Sequence, residues 1–242
     1  MGYGLWAALQ PVVDLDTGRV LAHEALLRGA PGTDWESPEV LFHRATELGH
    51  RTMLEAIARH LALRRLADLP PEQKLFVNVD ATSPEVSAMP GFSDIDPQRV
   101  VLEISEQQPI LGNAPLLTQV GHWRARGHAI ALDDYGAGYM GIGAILTLKP
   151  DIVKLDRLMI ADLHRDTARQ VFVRHMAAIC HELDMTVIAE GIEKPEELIV
   201  LRDMEVHVGQ GFLLGRPSAD PRTHVTLPTQ ASPSSRPRAE RG

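Results

Sequence analysis

The chain has little of what several enzyme classes are built on. Among its 242 residues there is one cysteine, Cys180, so no internal disulfide can form, which suits a reducing cytoplasm. Basic charge is also short: 24 Lys and Arg stand against 32 Asp and Glu, for a formal net charge of -8. That balance argues against a nucleic acid polymer held on a basic face, and an anionic substrate would need metal ions to offset the repulsion. There is no uncharged apolar run of about twenty residues, so no segment is predicted to span a membrane. The first residues lack a positive segment, and Gln10 and Pro11 interrupt the apolar stretch early, so no signal peptide is expected. No H-E-x-x-H, G-x-S-x-G or Walker A sequence occurs, which argues against a zinc protease, an α/β-hydrolase and a P-loop NTPase.

What is present is a repeated pattern. Runs rich in Val, Ile and Leu recur near 7–15, 19–28, 74–80, 100–105, 130–134, 152–156, 186–190 and 207–214. Such runs without polar alternation read as strands buried on both faces, and helix-length segments separate most of them. Ser37-Pro38 and Ser83-Pro84-Glu85 are helix starts, and Gly49 is a stop. The spacing of Phe172, Met176, Ile179 and Leu183 predicts one apolar stripe on a helix over about 166–184, and that of Leu54, Ile57 and Leu61 does the same near 52–67. About eight strands at this length favour a closed α/β barrel. Asp16-Thr17-Gly18-Arg19 is too short for a crossover helix, so the first two strands should pair antiparallel. The barrel domain is expected over 1–217. Residues 218–242, rich in Pro, Ser, Thr and Arg, are expected to form a disordered tail.

Six of the runs end in or beside a carboxylate or amide, which would ring one barrel rim with hard oxygen ligands. Glu24, Asn78, Glu103 and Asp133 form a candidate shell for Mg²⁺ or Mn²⁺, and Asp134 and Glu190 could hold a second ion. If Asp133 bridges the two, the pair suits in-line displacement at phosphorus. Taken singly, each acid could instead be solvated or cap a following helix. Lys154 and Asp156 point the same way into the mouth, either as catalytic groups or as a structural ion pair. Glu106 and Glu193 lie three residues beyond proposed ligands; they could hold a loop or a ligand in place, or be exposed loop acids. The G-x-G-x-x-G at 136–141 follows a strand, but two aspartates precede it and the segment after it is short. It is better read as a flexible loop near a metal-bound phosphate than as a dinucleotide fingerprint. His23 should face away from the metal side, and Cys180 is a packed small residue.

Taken in order, Gln10-Pro11-Val12-Val13-Asp14, Glu24-Ala25-Leu26-Leu27-Arg28, Asn78, Glu103-Ile104-Ser105-Glu106, Asp133-Asp134-Tyr135-Gly136-Ala137-Gly138-Tyr139, Lys154-Leu155-Asp156, Ala189-Glu190-Gly191-Ile192-Glu193 and Gln210-Gly211-Phe212 resemble the signature of the EAL domain. That family comprises bacterial phosphodiesterases that hydrolyse cyclic di-GMP. The resemblance implies a modified (β/α)₈ barrel with an antiparallel first strand, two divalent ions and hydroxide attack on one phosphodiester to give linear pGpG. It implies that Glu24, Asn78, Glu103 and Asp133 bind one ion and that Asp133, Asp134 and Glu190 bind the other. Lys154, Asp156, Glu190, Glu106 and Gln210 would serve catalysis, with Glu106 anchoring the loop after Asp134. Gln10, Leu26, Arg28, Asp156, Gln210 and Pro217 would lie against the substrate. A homodimer is also implied, and a catalytically silent cyclic di-GMP receptor is the alternative within the family. Gly29, Asp80 and Tyr139-Met140-Gly141-Ile142 depart from the common pattern without removing a ligand.

Overall fold

The computed structural model describes residues 4–80, 83, 89, 92–138 and 141–228. Eight strands close a barrel in chain order: β1 (Trp6–Asp14), β2 (Val20–Arg28), β3 (Lys74–Asn78), β4 (Val100–Ser105), β5 (Ala129–Tyr135), β6 (Ile152–Leu155), β7 (Thr186–Ala189) and β8 (Val208–Gly209). β1 runs antiparallel to both β2 and β8, and every other neighbouring pair is parallel. The short turn after β1 enforces this. Asp14 accepts from the backbone N–H and hydroxyl of Thr17, and Gly18 takes a positive φ of 78° against the Val225 carbonyl, where a Cβ would collide. The helices between strands include α1 (Pro38–Glu47), α2 (Arg51–Arg64), α3 (Ala114–Arg126), α4 (Ile142–Leu148), α5 (Arg157–Ile160), α6 (Thr167–Glu182) and α7 (Pro195–Arg202). Among the described residues, no helix is long and apolar enough to cross a membrane.

Inside the barrel the strands build two layers. Val12, Ala22, Phe76, Val101, Ala131, Ile152, Ile188 and Val208, one from each strand, form an apolar cluster separate from the main core. Side chains two residues apart on a strand share a face. Two residues nearer the mouth therefore come Gln10, Glu24, Asn78, Glu103, Asp133, Lys154, Glu190 and Gln210. In β1 the step runs backwards along the chain, because that strand is reversed. The main core lies outside the wall, where residues such as Leu9, Leu75, Leu102 and Leu132 meet the helices.

Several local expectations are corrected. In α6 only Met176 of the expected stripe is buried; Phe172, Ile179 and Leu183 are exposed, and Val173, Ala177 and Cys180 complete the inner face. The helix is apolar on two sides, and the smaller side chains let it lie close to the wall. In α2, Ile57 is exposed while Arg59 is buried. Ser37 occupies the N-cap of α1 without accepting a backbone N–H, although Pro38 and Gly49 sit where expected. β8 is far shorter than 207–214. After Gly209 the chain turns, with Gly215 donating to Gly211, whose α-carbon presses on the Ile192 backbone. The boundary expected at Pro217 also moves: Ser218 pairs with Leu9, His224 pairs with Arg19, and Val225 is buried in the main core. Residues 229–242, and Pro84 and Glu85 of the second predicted helix start, lie outside the described residues.

Candidate metal centre

The polar layer converges on Lys154. This side chain is fully buried, and its ammonium lies 2.5 Å from Glu103, 2.8 Å from Glu190, 2.9 Å from Asp133 and 3.4 Å from Glu24. The Phe76 ring of the apolar layer lies 5.9 Å below the same nitrogen. Burial alone would favour loss of the Lys154 proton, but the surrounding carboxylates outweigh it and hold the group well above its usual value. Burial pushes Glu103 well above the carboxylate range against the pull of Lys154, and it raises Glu190 to about 8. Asp134 rises to about 6, first through burial and then through the adjacent Asp133 charge. One cation among four carboxylates leaves the layer short of positive charge.

The oxygens fit divalent ions. Glu24, Glu103 and Asp133 bring one oxygen each within 4.8 Å of one another, and so do Asp133, Asp134 and Glu190, so Asp133 belongs to both triplets. Glu103 Oε1 and Asp133 Oδ1 are buried and accept no well-angled hydrogen bond, although both lie in ion-pair reach of Lys154. Buried oxygens short of donors are what a hard cation satisfies. Asn78, at the exposed end of β3, donates to Glu103 Oε2 at 3.4 Å. Asp134 takes a positive φ of 57°, which lets consecutive aspartates turn to one centre, and it accepts from the Ser105 hydroxyl at 3.0 Å. The role of Ser105 was not singled out in the sequence; its place between Glu103 and Glu106 is the available signal.

Around this centre, Gln210 donates to Glu24 at 2.7 Å and to Gln10 at 3.0 Å, and Gln10 donates to the Gly215 carbonyl. Gln10, Glu24, Leu26, Asp156, Glu190, Gln210 and Phe212 line a cavity of about 280 Å³. Asp156 both faces this space and caps α5 by accepting the Leu158 N–H. The Arg216 guanidinium stacks 4.0 Å from the Phe212 ring, a contact the sequence analysis missed because the pairing depends on the turn after β8. Arg28 is placed at the end of β2, where it donates to the Leu27 carbonyl, and it lines neither this cavity nor the larger one nearby. Pro217 is half-buried just before the Ser218 pairing with Leu9. Glu193 pairs with Arg157 at 3.0 Å and lines the same cavity as Glu190.

Glu106 is buried, and its carboxylate accepts the N–H groups of Gly136, Gly138 and Gly141. These amides were expected to approach a metal-bound phosphate; they are committed to Glu106 instead. Gly138 is so close that a Cβ would stand 3.0 Å from that carboxylate. Gly29 has a similar steric reason, since a Cβ there would meet the Trp35 carbonyl at 1.9 Å. His23 faces away from the centre and accepts the Arg222 N–H on Nε2. Cys180 is buried and its thiol is pushed to about 11, which leaves it unreactive. A further group, Asp162, His164 and Glu197, also brings ligand atoms together. There, however, Lys194 pairs with Asp162, and Glu197 accepts the N–H groups of Asp162, Glu193 and Lys194.

A closed eight-stranded barrel with a carboxylate-rich mouth defines the class, and the comparisons define the family. The EAL domain model matches residues 4–217, so the chain belongs to the EAL domain family. The probable cyclic di-GMP phosphodiesterase PdeB of Escherichia coli is 28% identical over 221 residues, covering 86% of this chain and 41% of that protein. A cyclic di-GMP phosphodiesterase of Pseudomonas aeruginosa is 29% identical, covering 88% and 38%. The chain thus spans less than half the length of these curated relatives. Among solved structures, Klebsiella pneumoniae BlrP1 with calcium and cyclic di-GMP superposes with a TM-score of 0.80 at 27% identity, over 92% of this chain and 58% of that one. The PaMucR phosphodiesterase in complex with cyclic di-GMP gives 0.75 at 26%, over 89% and 92%.

Proposed function

We propose that this protein hydrolyses cyclic di-GMP to linear pGpG with two divalent ions, Mg²⁺ or Mn²⁺. The observation that carries this reading is Asp133, shared by two carboxylate triplets at the mouth of the barrel. Relatives named cyclic di-GMP phosphodiesterases, and structures of relatives in complex with that dinucleotide, support the substrate. When bound, the ions supply Lewis-acid charge at phosphorus and acidify water. Glu24, Asn78, Glu103 and Asp133 would hold one ion, and Asp133, Asp134 and Glu190 would hold the other.

Lys154 keeps its proton in this anionic setting and offsets charge that develops on phosphate oxygens. Asp156, Gln10 and Gln210 orient water and substrate in the cavity they share with Leu26. Water oxygen bonds to phosphorus, a ribose oxygen leaves, and the proton lost by the water ends on that leaving oxygen. Glu106 sets the loop after Asp134 through three backbone N–H groups. Arg28 and Pro217 line neither cavity, and would meet the substrate only at its ends.

Exposed Leu111, Ile142 and Leu146, with Leu111 packed beside Gly143, support a homodimer contact next to that loop. The single, buried cysteine is compatible with the cytoplasm. Purified protein with Mn²⁺ or Mg²⁺ and cyclic di-GMP, followed by chromatography, tests the activity. The expected product is pGpG, and Glu24→Ala should abolish its formation while the circular dichroism spectrum is unchanged. Tight binding of cyclic di-GMP with no pGpG would overturn the enzyme reading and assign a receptor.

A further inference from the structure

The match to the family ends at Pro217, but the chain goes on packing against the barrel. Among the described residues no helix follows β8; residues 218–225 cross the wall there as an extended strap. β8 has two residues and pairs with β1 only at Val13 and Asp14, so the part of β1 nearer the mouth lacks a partner strand on that side. Backbone groups left in that state need other partners. Ser218 supplies them, exchanging two backbone hydrogen bonds with Leu9 at 2.8 and 3.0 Å. The strap then runs to the turn between β1 and β2, at the end of the barrel away from the mouth. There Val20 donates to the Thr223 carbonyl, Val225 donates to the Gly18 carbonyl, and the Val225 side chain enters the main core.

The wall is built to receive this segment. Two buried polar side chains are committed to it: Gln73 donates to the Arg222 carbonyl at 3.0 Å, and His23 accepts the Arg222 N–H at 3.0 Å. Without the strap each would lose a partner, at about 1–3 kcal/mol for a group left buried. The hold is nevertheless modest, because Val225 is the only buried residue between Ser218 and Val225. A segment with one apolar plug and a few exposed backbone bonds opens locally at a lower free energy than the barrel unfolds. Its upper end meets the carboxylate centre. Leu9 precedes Gln10, and Gln10 donates to the carbonyl of Gly215, in the turn that joins Gln210 to Ser218. Gly215 lies so close to β1 that a Cβ would stand 2.7 Å from the Pro11 ring. Gln210 in turn reaches Gln10 and Glu24. Release of Ser218 removes the main-chain tie at Leu9 and leaves the Gln10 side chain to hold the turn.

We propose that residues 218–225 are a positioning strap, whose docking on β1 and β2 sets the affinity of the mouth for cyclic di-GMP by fixing Gln10 and Gln210. This inference rests on the reading of the mouth as a cyclic di-GMP site. Docking and binding are then reciprocal. The strap tightens binding of the dinucleotide, and the dinucleotide holds the strap down by the same factor, about 5–150-fold for couplings between sites.

Amide hydrogen exchange of the full chain in Ca²⁺, with and without cyclic di-GMP, reads this coupling; Ca²⁺ accompanies that dinucleotide in the BlrP1 structure. With the dinucleotide bound, the Val225 amide should exchange about tenfold more slowly, although it lies at the far end of β1 from the mouth. The Gly127 amide, at the C-terminal end of α3, should not change. In isothermal titration, Val225→Asp and a chain ending at Pro217 should each bind cyclic di-GMP about tenfold more weakly, while a chain ending at Pro228 should bind as the full chain does. Circular dichroism establishes that each variant keeps the barrel; if neither strap variant does, Val225 exchange in the unaltered chain decides, because it needs no substitution. Binding of cyclic di-GMP that leaves Val225 exchange unchanged overturns the strap alone. Full affinity in a folded variant without the docked strap does the same, as does equal weakening in the chain ending at Pro228. No binding of cyclic di-GMP by the full chain overturns both the strap and the reading of the mouth.

Discussion

Inside one barrel, eight strands present Val12, Ala22, Phe76, Val101, Ala131, Ile152, Ile188 and Val208 in one layer, and Gln10, Glu24, Asn78, Glu103, Asp133, Lys154, Glu190 and Gln210 in the next. Backbone and parity are the same in both; only the side chains differ. The lower layer removes apolar surface from water, which stabilises the fold by about 25 cal/mol per Å². The upper layer buries carboxylates together: burial first, and then their mutual repulsion, raises Glu103, Glu190 and Asp134, and the layer depends on Lys154 for compensation. In barrels of this kind the mouth carries the chemistry and the opposite end carries stability. Here the two tasks are separated by one pleat.

Substitutions in each layer should therefore fail differently. Lys154→Met removes the cation from four carboxylates and should cost about 3–5 kcal/mol in EDTA, with excess Mn²⁺ restoring most of it because ions take over the compensation. Urea unfolding with and without Mn²⁺ measures both, and equal stability of the two proteins in EDTA would show that Lys154 does not hold the layer. Phe76→Ala opens a cavity in the lower layer and should also cost about 3–5 kcal/mol, but Mn²⁺ should raise it and the unaltered protein by the same amount. A larger rescue by Mn²⁺ would show that the layers are not separable.

His23 lies on the opposite face of β2 from Glu24 and tests the wall outside both layers. Burial lowers it from the usual 6.5 to about 4, so the folded state binds fewer protons there than the unfolded chain. Its contribution is full above pH 6.5 and is lost as pH falls toward 4, on the order of 3 kcal/mol. His23→Gln should flatten the stability profile between those values without changing Mn²⁺ affinity; an unaltered slope refutes the assignment. Glu106→Gln keeps the shape of the loop anchor but removes its charge. It should weaken Mn²⁺ binding about 10–100-fold, as loss of supporting partners does, and lower the urea midpoint as well, because the new amide NH₂ faces a backbone N–H that the carboxylate accepted. Unchanged affinity would mean that the loop does not help to set Asp134.

Most strand positions were legible because strands buried on both faces read as apolar runs whose ends are marked by the first polar residue, as at Glu103 and Glu190. Which face of α6 turns inward was not legible, because Phe172, Ile179 and Leu183 satisfy the helical period as well as Val173, Met176 and Cys180 do. The tail was misread for a related reason: its composition is polar, yet Ser218 and Val225 find partners on β1 and near Gly18 that lie some two hundred residues earlier. The glycines after Asp134 read as a flexible loop, and the resemblance implied that Glu106 anchors it; that the anchor is made through the N–H groups of Gly136, Gly138 and Gly141 was not legible.

By itself the sequence determined the order of strands and helices, the antiparallel start, and the placing of an acid or amide at strand ends. Those follow from local periodicity and turn length, which need no knowledge of the rest of the chain. Tertiary structure alone decided that Gln210 would reach Glu24 and Gln10, that Gly29 would be pressed against Trp35, and that Arg59 would be buried on the inner face of α2. These depend on barrel closure and strand register, which bring residues far apart in the chain to within a few ångströms, and local pattern contains no measure of that distance.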